Sequence, residues 1–361
     1  MSSWGNRIKI SLFGESHGRG IGVVIDGLPA GEKIDMEQVL LQMARRAPGK
    51  DKTATPRLEK DLPEIMSGMM NDTTTGAPLG AVIMNTNTRS GDYGDMLTRP
   101  RPGHADFTGN VRYKGFNDIR GGGHFSARLT APLVFAGAVC RQILFRRGVR
   151  IAAHICSVGN IKDKRFDPVN IPDELMDRLS GGVFGLLDPS AETGMRELIE
   201  ECRLAGDSVG AVIECAVTGL PAGAGSPMFD GIENVIASVV FGIPAVKGIE
   251  FGAGFTASEM RGSENNDEFY YDGETVKTRT NNHGGILGGI SSGMPVIFRT
   301  AFKPTPSIAR EQKTVDLKEK HDATLSIKGR HDPCVALRAV PVVEAAAALA
   351  VINIMSDAGM L

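Results

Sequence analysis

Ser16 and His17 lie in the stretch FGESHG, whose Gly-x-Ser-x-Gly spacing matches the turn that exposes a nucleophilic serine in many hydrolases. That turn needs a strand before it and a helix after it. Residues 7–13 alternate as a strand does, but the run GRGIGVVIDGLPAG that follows is glycine-rich and then β-branched, and reads as a second strand entering a turn. The expectation is a pair of strands with Ser16 and His17 at the tip, and chemistry centred on the imidazole.

Four further segments carry side chains suited to anions and protons. RPRPGHADFTG supplies Arg99, Arg101 and His104 beside Asp106, and histidine is the usual proton carrier near neutral pH. DIRGGGHFSARLT sets three glycines before a helix start, where free N–H groups and the helix dipole suit a phosphate or a flavin; Arg120, His124 and Arg128 add charge. It matches neither the P-loop nor the dinucleotide fingerprint, so neither fold follows from it. FKPTPSIAR joins a lysine to two stiffening prolines and two hydroxyls. KGRHDPC places Arg330, His331 and Asp332 in a row, where an Arg330–Asp332 ion pair is the simpler reading. Arg45, Arg46, Lys50, Lys52 and Arg57 crowd one segment, which suits either a solvated face or an anion site.

The elements that must position these groups belong to a soluble globular chain. Its 361 residues are 42% hydrophobic and 23% charged, and the net charge of −2 gives no pull toward nucleic acid or acidic membranes. Five cysteines without a C-x-x-C pair point to a reducing, cytoplasmic setting and away from a structural zinc. The most apolar helical stretches, 129–140 and 345–355, are short of a membrane span.

IGVVIDGLPAGEKIDMEQVL (21–40) is echoed by VGAVIECAVTGLPAGAGSPMFDGIENVI (209–236), each a β-rich run, GLPAG, an aspartate and an amphipathic helix. The echo predicts one domain over residues 1–361, with pseudo-repeat halves of about 1–148 and 149–361. Asp35 and Gln38 form a capping box for a helix to residue 47, and Asp230 is expected to cap 233–240. Ser126 is expected to cap a helix through Arg147, and a last helix to run from Pro341 to Met355. Strands are expected at 79–84 and 295–300, and residues 254–330 are loop-rich.

FGESHG, DGLPAG, RRAPG, SGDYGDM, RPGHADFTG, RGGG, PAVKG, NHGGILGGISSGMP, FKPTPSI and GRHDPC, in this order and nearly end to end, make the chain resemble the chorismate synthases. The resemblance implies an α+β fold, a single-domain sandwich with helices between antiparallel sheets, assembled as a homotetramer. It implies a carbon–oxygen lyase that removes phosphate and a proton from 5-enolpyruvylshikimate 3-phosphate by anti-1,4 elimination, with reduced FMN as cofactor and NADPH as its possible reductant. His17 matches the histidine beside the flavin, His104 the proton donor to the departing phosphate, and Asp332 the acid that assists substrate proton removal. Ser16 and Ser126 match relay hydroxyls. Arg46, Lys52, Arg101, Arg128 and Arg330 match substrate-binding positions. His124, Phe125, Ser126, Pro244, Ala245, Gly288, Lys303, Pro304, Thr305, Pro306, Ser307 and Arg330 match flavin-binding positions.

The chain departs from the family pattern at His124-Phe125, where arginine and serine are usual, at Pro244, often asparagine, and at Lys52, often arginine. Two other readings compete: a flavin-dependent NAD(P)H oxidoreductase, and a binding module for phospho-ligands or RNA built on residues 45–57.

Overall fold

The computed structural model describes residues 2–47, 61–86, 98–182, 184–327 and 332–361. The first sheet consists of β1 (Ser3–Trp4), β2 (Lys9–Gly14), β3 (Gly20–Asp26), β4 (Pro63–Ser67) and β5 (Leu79–Met84), antiparallel in the order β1-β2-β3-β5-β4. Period-2 alternation decides its inner face: Ile21, Val23 and Ile25 are fully buried, whereas Val24 and Asp26 are exposed. Register sets Ile10 opposite Ile25 and Val23 opposite Ala81, so neighbouring strands add apolar side chains to one face. The strands expected on either side of Ser16 and His17 are β2 and β3, and the one expected at 79–84 is β5.

Helix α1 (Met36–Arg46) begins at Asp35, whose carboxylate accepts the N–H groups of Glu37 at 2.9 Å and Gln38 at 3.3 Å. The expected capping box is half made, because the Asp35 N–H goes not to Gln38 but to Gln142 Oε1 at 2.8 Å. The short α2 (Asp106–Arg112) follows the RPGH loop. Ser126 caps as expected, accepting the Arg128 N–H at 3.3 Å, but it starts a single 3-10 turn, Ala127–Leu129, that leads into α3 (Thr130–Phe145). Gly148, at φ +80°, closes that end.

The second half contains β6 (Arg150–Val158), β7 (Ile161–Lys162), α4 (Asp173–Gly181), α5 (Ala191–Leu204), β8 (Ala211–Thr218), α6 (Ile232–Val240), β9 (Val246–Phe251), β10 (Val296–Phe302) and α7 (Ala336–Asp357). Its five strands are antiparallel in the order β9-β10-β8-β6-β7. The region read as loop-rich folds largely as short hairpins, such as Phe269–Asp272 with Thr275–Thr278 and Gln312–Asp316 with His321–Leu325.

Two helix starts differ from expectation. Asp230 does not cap α6; Gly231 stands at the cap, and the Ile232 N–H is satisfied by the Gly289 carbonyl at 3.0 Å. A tertiary backbone contact has replaced the local side-chain cap. Helix α7 starts at Ala336, so Pro341 lies inside it and not in its first turn. No capping side chain marks that start, which left proline as the only local signal.

Helix α3 packs on β2, β3 and β5, α7 packs on β6 and β8, and the two helices pack on each other; α1 and α6 also pack on α7. Both α7 and the run Ala127–Phe145 are long and apolar enough to cross a membrane, and both are largely buried inside the fold instead. They extend beyond the apolar stretches read from sequence. Their backbones approach closely at Gly137, where a Cβ would lie 2.3 Å from both Cα and Cβ of Ala345. Near the end of α7, Asn353 accepts the Ile8 N–H at 3.1 Å and donates to the Ile8 carbonyl at 2.9 Å, joining the last helix to the first strands.

Charges of alternating sign, buried except for the half-buried Glu250 at the edge, cross the second sheet. His154 on β6 faces Glu214 on β8, which faces Arg299 on β10, which faces Glu250 on β9. His154 Nε2 lies 3.0 Å from Glu214 and Nδ1 3.0 Å from Asp163, while Arg299 donates to Glu250 at 2.6 Å. Burial alone would lower the His154 pKa, but hydrogen bonds to Asp163 and Glu214 outweigh it and hold the ring above its ordinary value.

Two outcomes follow. Gly137→Ala gains under about 1 kcal/mol of helix propensity but must push two backbones apart, so it should lower stability by about 2–3 kcal/mol in denaturant titration. His154→Gln removes a cation from between two buried carboxylates and should cost roughly 3–5 kcal/mol. Because the His154 pKa is raised on folding, the gap between wild type and variant should be widest below 6.5 and narrow as pH rises through the raised value. A gap that grew with pH would contradict the charged state of His154.

Candidate active site

The turn between β2 and β3 carries Ser16 and His17, both buried. Asn85, just past β5, holds it by donating to the carbonyls of Glu15 at 3.0 Å and Gly18 at 2.9 Å. The Ser16 N–H donates to the Gly123 carbonyl at 3.1 Å, which draws the triple-glycine loop against the turn.

Gly121, Gly122 and Gly123 all take positive φ, at 61°, 86° and 54°. Space demands glycine as much as backbone conformation does. A Cβ on Gly121 would sit 2.5 Å from His17 Cδ2 and 2.7 Å from Ser16 Oγ. One on Gly122 would sit 3.2 Å from His104 Nε2 and 3.6 Å from Ser126 Cβ. The loop therefore brings Ser16, His17, His104 and Ser126, read from three separate sequence segments, around one strip of bare backbone.

His104 is held from the side away from the glycines. Its Nδ1 is 2.6 Å from Asp106 Oδ1, and Arg101 forks onto the same carboxylate with bonds of 2.7 and 2.8 Å. Burial of Asp106 pushes its carboxyl upward, yet the hydrogen bonds from Arg101 and His104 prevail and hold it far below the usual carboxylate range. Arg101 also donates to Ser307 Oγ at 3.2 Å, and Lys303 Nζ to the Gly103 carbonyl, so the KPTPS loop packs on the RPGH loop. Burial, and next the neighbouring Lys247, lower the Lys303 pKa.

Arg46 and Arg128, both buried, converge on Asp61. Arg46 donates to Asp61 Oδ2 at 2.7 Å, Arg128 donates to Oδ1, and Arg128 reaches Asn85 Oδ1 at 3.0 Å. Asp332 accepts from Arg338 at 2.5 Å, and Arg338 in turn donates to the Arg46 carbonyl at 3.1 Å. That chain of bonds ties Asp332, far along the sequence, to the α1 end of the arginine group. Arg45, by contrast, lies in the core, forked onto buried Glu344 of α7 at 2.5 and 3.2 Å.

Other expected positions differ in their placement. His124 is committed elsewhere: Nδ1 faces the Gly14 carbonyl at 2.8 Å and Nε2 the Ser2 hydroxyl at 2.5 Å. Phe125 packs near Tyr113 and over Gly109 of α2. Ala245, beside Pro244 and at φ +75°, accepts the Lys303 N–H at 3.0 Å and so joins the KPTPS loop, with Pro304, Thr305 and Pro306 next in line. Gly288 stands apart, exposed in a turn by the start of α6, whereas Pro244 and Ala245 follow its end, about 13 Å away along nine residues. Lys52 and Arg330 fall outside the described residues. Sequence reasoning did not single out Asp61, Asn85 or Arg338, and no local pattern marks them.

The residues present fit an anionic aromatic cofactor. Thr305 Oγ1 is buried and, among the described residues, without a hydrogen-bond partner, the condition of a hydroxyl waiting for a ligand. The glycine strip offers a side-chain-free surface next to His17 and His104, and the KPTPS loop that carries Thr305 is joined to the His104 loop through Arg101–Ser307 and Lys303–Gly103. A separate cavity of about 210 Å³ lies between Trp4, Phe229, Asn234 and Asp357, and none of the expected site residues lines it.

The family profile described as chorismate synthase matches residues 8–356. Chorismate synthases of Dehalococcoides mccartyi and Methanosarcina mazei are 44% and 43% identical, covering 100% and 99% of this chain and 98% and 97% of their own. The one from Thermococcus kodakarensis is 44% identical over 96% of this chain and 95% of its own. A crystal structure of a chorismate synthase superposes with a TM-score of 0.77 at 26% identity, covering 98% of this chain and 93% of that one. Agreement of this extent, over both sheets and the helices, makes the chain an α+β enzyme. It belongs to the chorismate synthase family.

Gly121→Ala should cost only about 1–2 kcal/mol for a left-handed alanine, yet reduce turnover at least tenfold, since its Cβ displaces the His17 ring and the Ser16 hydroxyl. Thermal melting beside steady-state rates separates the two effects; a variant that keeps wild-type turnover would show that the close contact has no bearing on reactivity.

Proposed function

We propose that this chain converts 5-enolpyruvylshikimate 3-phosphate to chorismate in the shikimate pathway, as a carbon–oxygen lyase using reduced FMN. The observation that carries the reading is the meeting of His17, Ser16, Ser126 and His104 around the glycine strip, with Arg101 beside His104. A substrate with two carboxylates and a phosphate needs matched cations to leave water. Arg46, Arg101 and Arg128 supply guanidinium charge of the kind that suits carboxylate and phosphate, held in place by Asp61 and Asp106.

In this reading His104 gives a proton from Nε2 to the leaving phosphate, and the arginines stabilise the charge that develops there. Ser16 and Ser126 act as hydroxyl relays toward Asp332, the final proton carrier on the opposite side of the reaction. His17 holds a proton beside the cofactor. Ala245, Ser126 and the loop from Lys303 to Ser307 would hold the flavin, with Thr305 supplying the free hydroxyl; Phe125 closes the α2 side. Reduced FMN, when bound, supplies electron density to the allylic system without net oxidation. NADPH is a candidate source of its electrons.

The wider architecture in this reading is one domain: a helical layer between two sheets, related by an internal pseudo-twofold. One large buried core that draws residues from Ile8 to Met355, with two smaller clusters beside it, supports the one domain. β3 and β8, each the third strand of its sheet, lead through GLPAG to helices that both pack on α7, which supports the repeat. Phe13, Val24, Met66 and Met84 are exposed along the first sheet, an apolar set that supports burial between copies in a homotetramer. The five free thiols suit the cytoplasm.

Anaerobic protein with chemically reduced FMN should form chorismate and release phosphate in equal amounts, and NADPH alone tests self-reduction. Absence of product under fully reduced conditions, or nicotinamide consumed in step with product, would overturn the lyase reading. His104→Ala should lower kcat by ~10²-fold or more with little change in KM, because a proton donor acts in the transition state.

A further inference from the structure

Asp106 was read from sequence only as an acid near His104, and the reaction as proposed gives it no part. It is the first residue of α2 and only 6% exposed. All its acceptor positions face donors: Oδ1 meets His104 Nδ1 at 2.6 Å and Arg101 Nη2 at 2.8 Å, and Oδ2 meets Arg101 Nε at 2.7 Å and the Arg101 backbone N–H at 3.0 Å.

Arg101 and Asp106 make opposite demands on the imidazole. Arg101 Nη2 lies 3.1 Å from His104 Nδ1. A guanidinium can only donate, so this contact alone would make Nδ1 an acceptor and place the proton of the neutral ring on Nε2. An ionised carboxylate can only accept, so the closer 2.6 Å contact requires a proton on Nδ1. The shorter, charge-assisted bond prevails. Nδ1 then keeps its proton in both charge states, and the proton that comes and goes is the one on Nε2, the atom facing Gly122.

Resting on the lyase reading above, we propose that Asp106 is a positioning residue that fixes the tautomer and orientation of His104, so that Nε2 is the nitrogen delivering a proton to the phosphate leaving group. Without its carboxylate, the adjacent guanidinium would both select the wrong tautomer and oppose the charged ring. The other polar groups around His104 do not supply the function. Lys303 bonds to the Gly103 carbonyl and Ser307 accepts from Arg101, and His17 lies beyond the glycine strip on the β2–β3 turn.

The test is Asp106→Asn in the full-length enzyme, read first without substrate. In long-range ¹H–¹⁵N spectra at mildly alkaline pH, with the His104 signals assigned by His104→Gln, wild type should show the proton on Nδ1 and a bare Nε2. In Asp106→Asn the proton should move to Nε2 or divide between the two nitrogens. With reduced FMN, kcat should fall by ~10²-fold, while KM changes by less than about threefold. Asp106→Glu, which keeps the charge, should retain the Nδ1 proton and recover at least about a tenth of wild-type kcat. It also carries the test if Asp106→Asn fails to fold. An unchanged tautomer in Asp106→Asn would overturn the proposal, as would a lower rate caused by weaker substrate binding alone. If the tautomer moves as stated but wild type forms no chorismate, the positioning role stands and the reaction assignment falls.

Discussion

Guanidinium groups cannot be crowded into a protein interior without anions to match them, and that constraint organises the site. Desolvating one unpaired charge costs several kcal/mol, and neighbouring like charges add repulsion. Asp61 answers for Arg46 and Arg128, Asp106 for Arg101, and Asp332 for Arg338. The Asp106 carboxylate also fixes geometry, because the guanidinium of Arg101 forks onto it in one plane with one approach. The charges that prepare the protein for a polyanion are thereby held in place before one arrives.

The same logic operates in the second sheet with a different result. His154, Glu214, Arg299 and Glu250 alternate in sign across four strands, in register, each bonded to the next or to Asp163 and nearby backbone groups. On the KPTPS loop, by comparison, the buried Thr305 hydroxyl is unbonded among the described residues. Arg45 and Arg46 show the contrast between adjacent residues, one in the core against Glu344, the other in the site against Asp61.

What could be read from the sequence was what is local. The β2–β3 pair around Ser16 and His17, the Asp35 cap and the Ser126 cap each depend on residues within a few positions of one another, and each is found. The meeting of FGESHG, RPGHAD and RGGGHFS became legible only through resemblance, since nothing in their spacing brings them together. Asn85 and Arg338 were not legible at all: one clamps a turn 67 and 70 residues away, the other reaches a carbonyl 292 residues away. The α6 and α7 starts were misread for the same reason. Gly289 replaces the expected Asp230 cap, and α7 gains its first turn from packing where no capping residue announces it. The bonds of the His124 ring to Gly14 and Ser2 were equally illegible, since they join it to residues more than a hundred positions away.

The bonds between the final helix and the opening strands carry a consequence for biosynthesis. Helix α7 touches α1, α3, α6 and the second sheet, and its Asn353 grips Ile8. A chain emerging from the ribosome displays its first sheet long before the segment that covers the rest of the core has been translated. Arg338, which anchors Asp332 to Arg46, is also a late arrival. The core cover and the fastening of Asp332 are therefore absent until residues 336–357 have been made, and a product truncated before residue 336 would lack both.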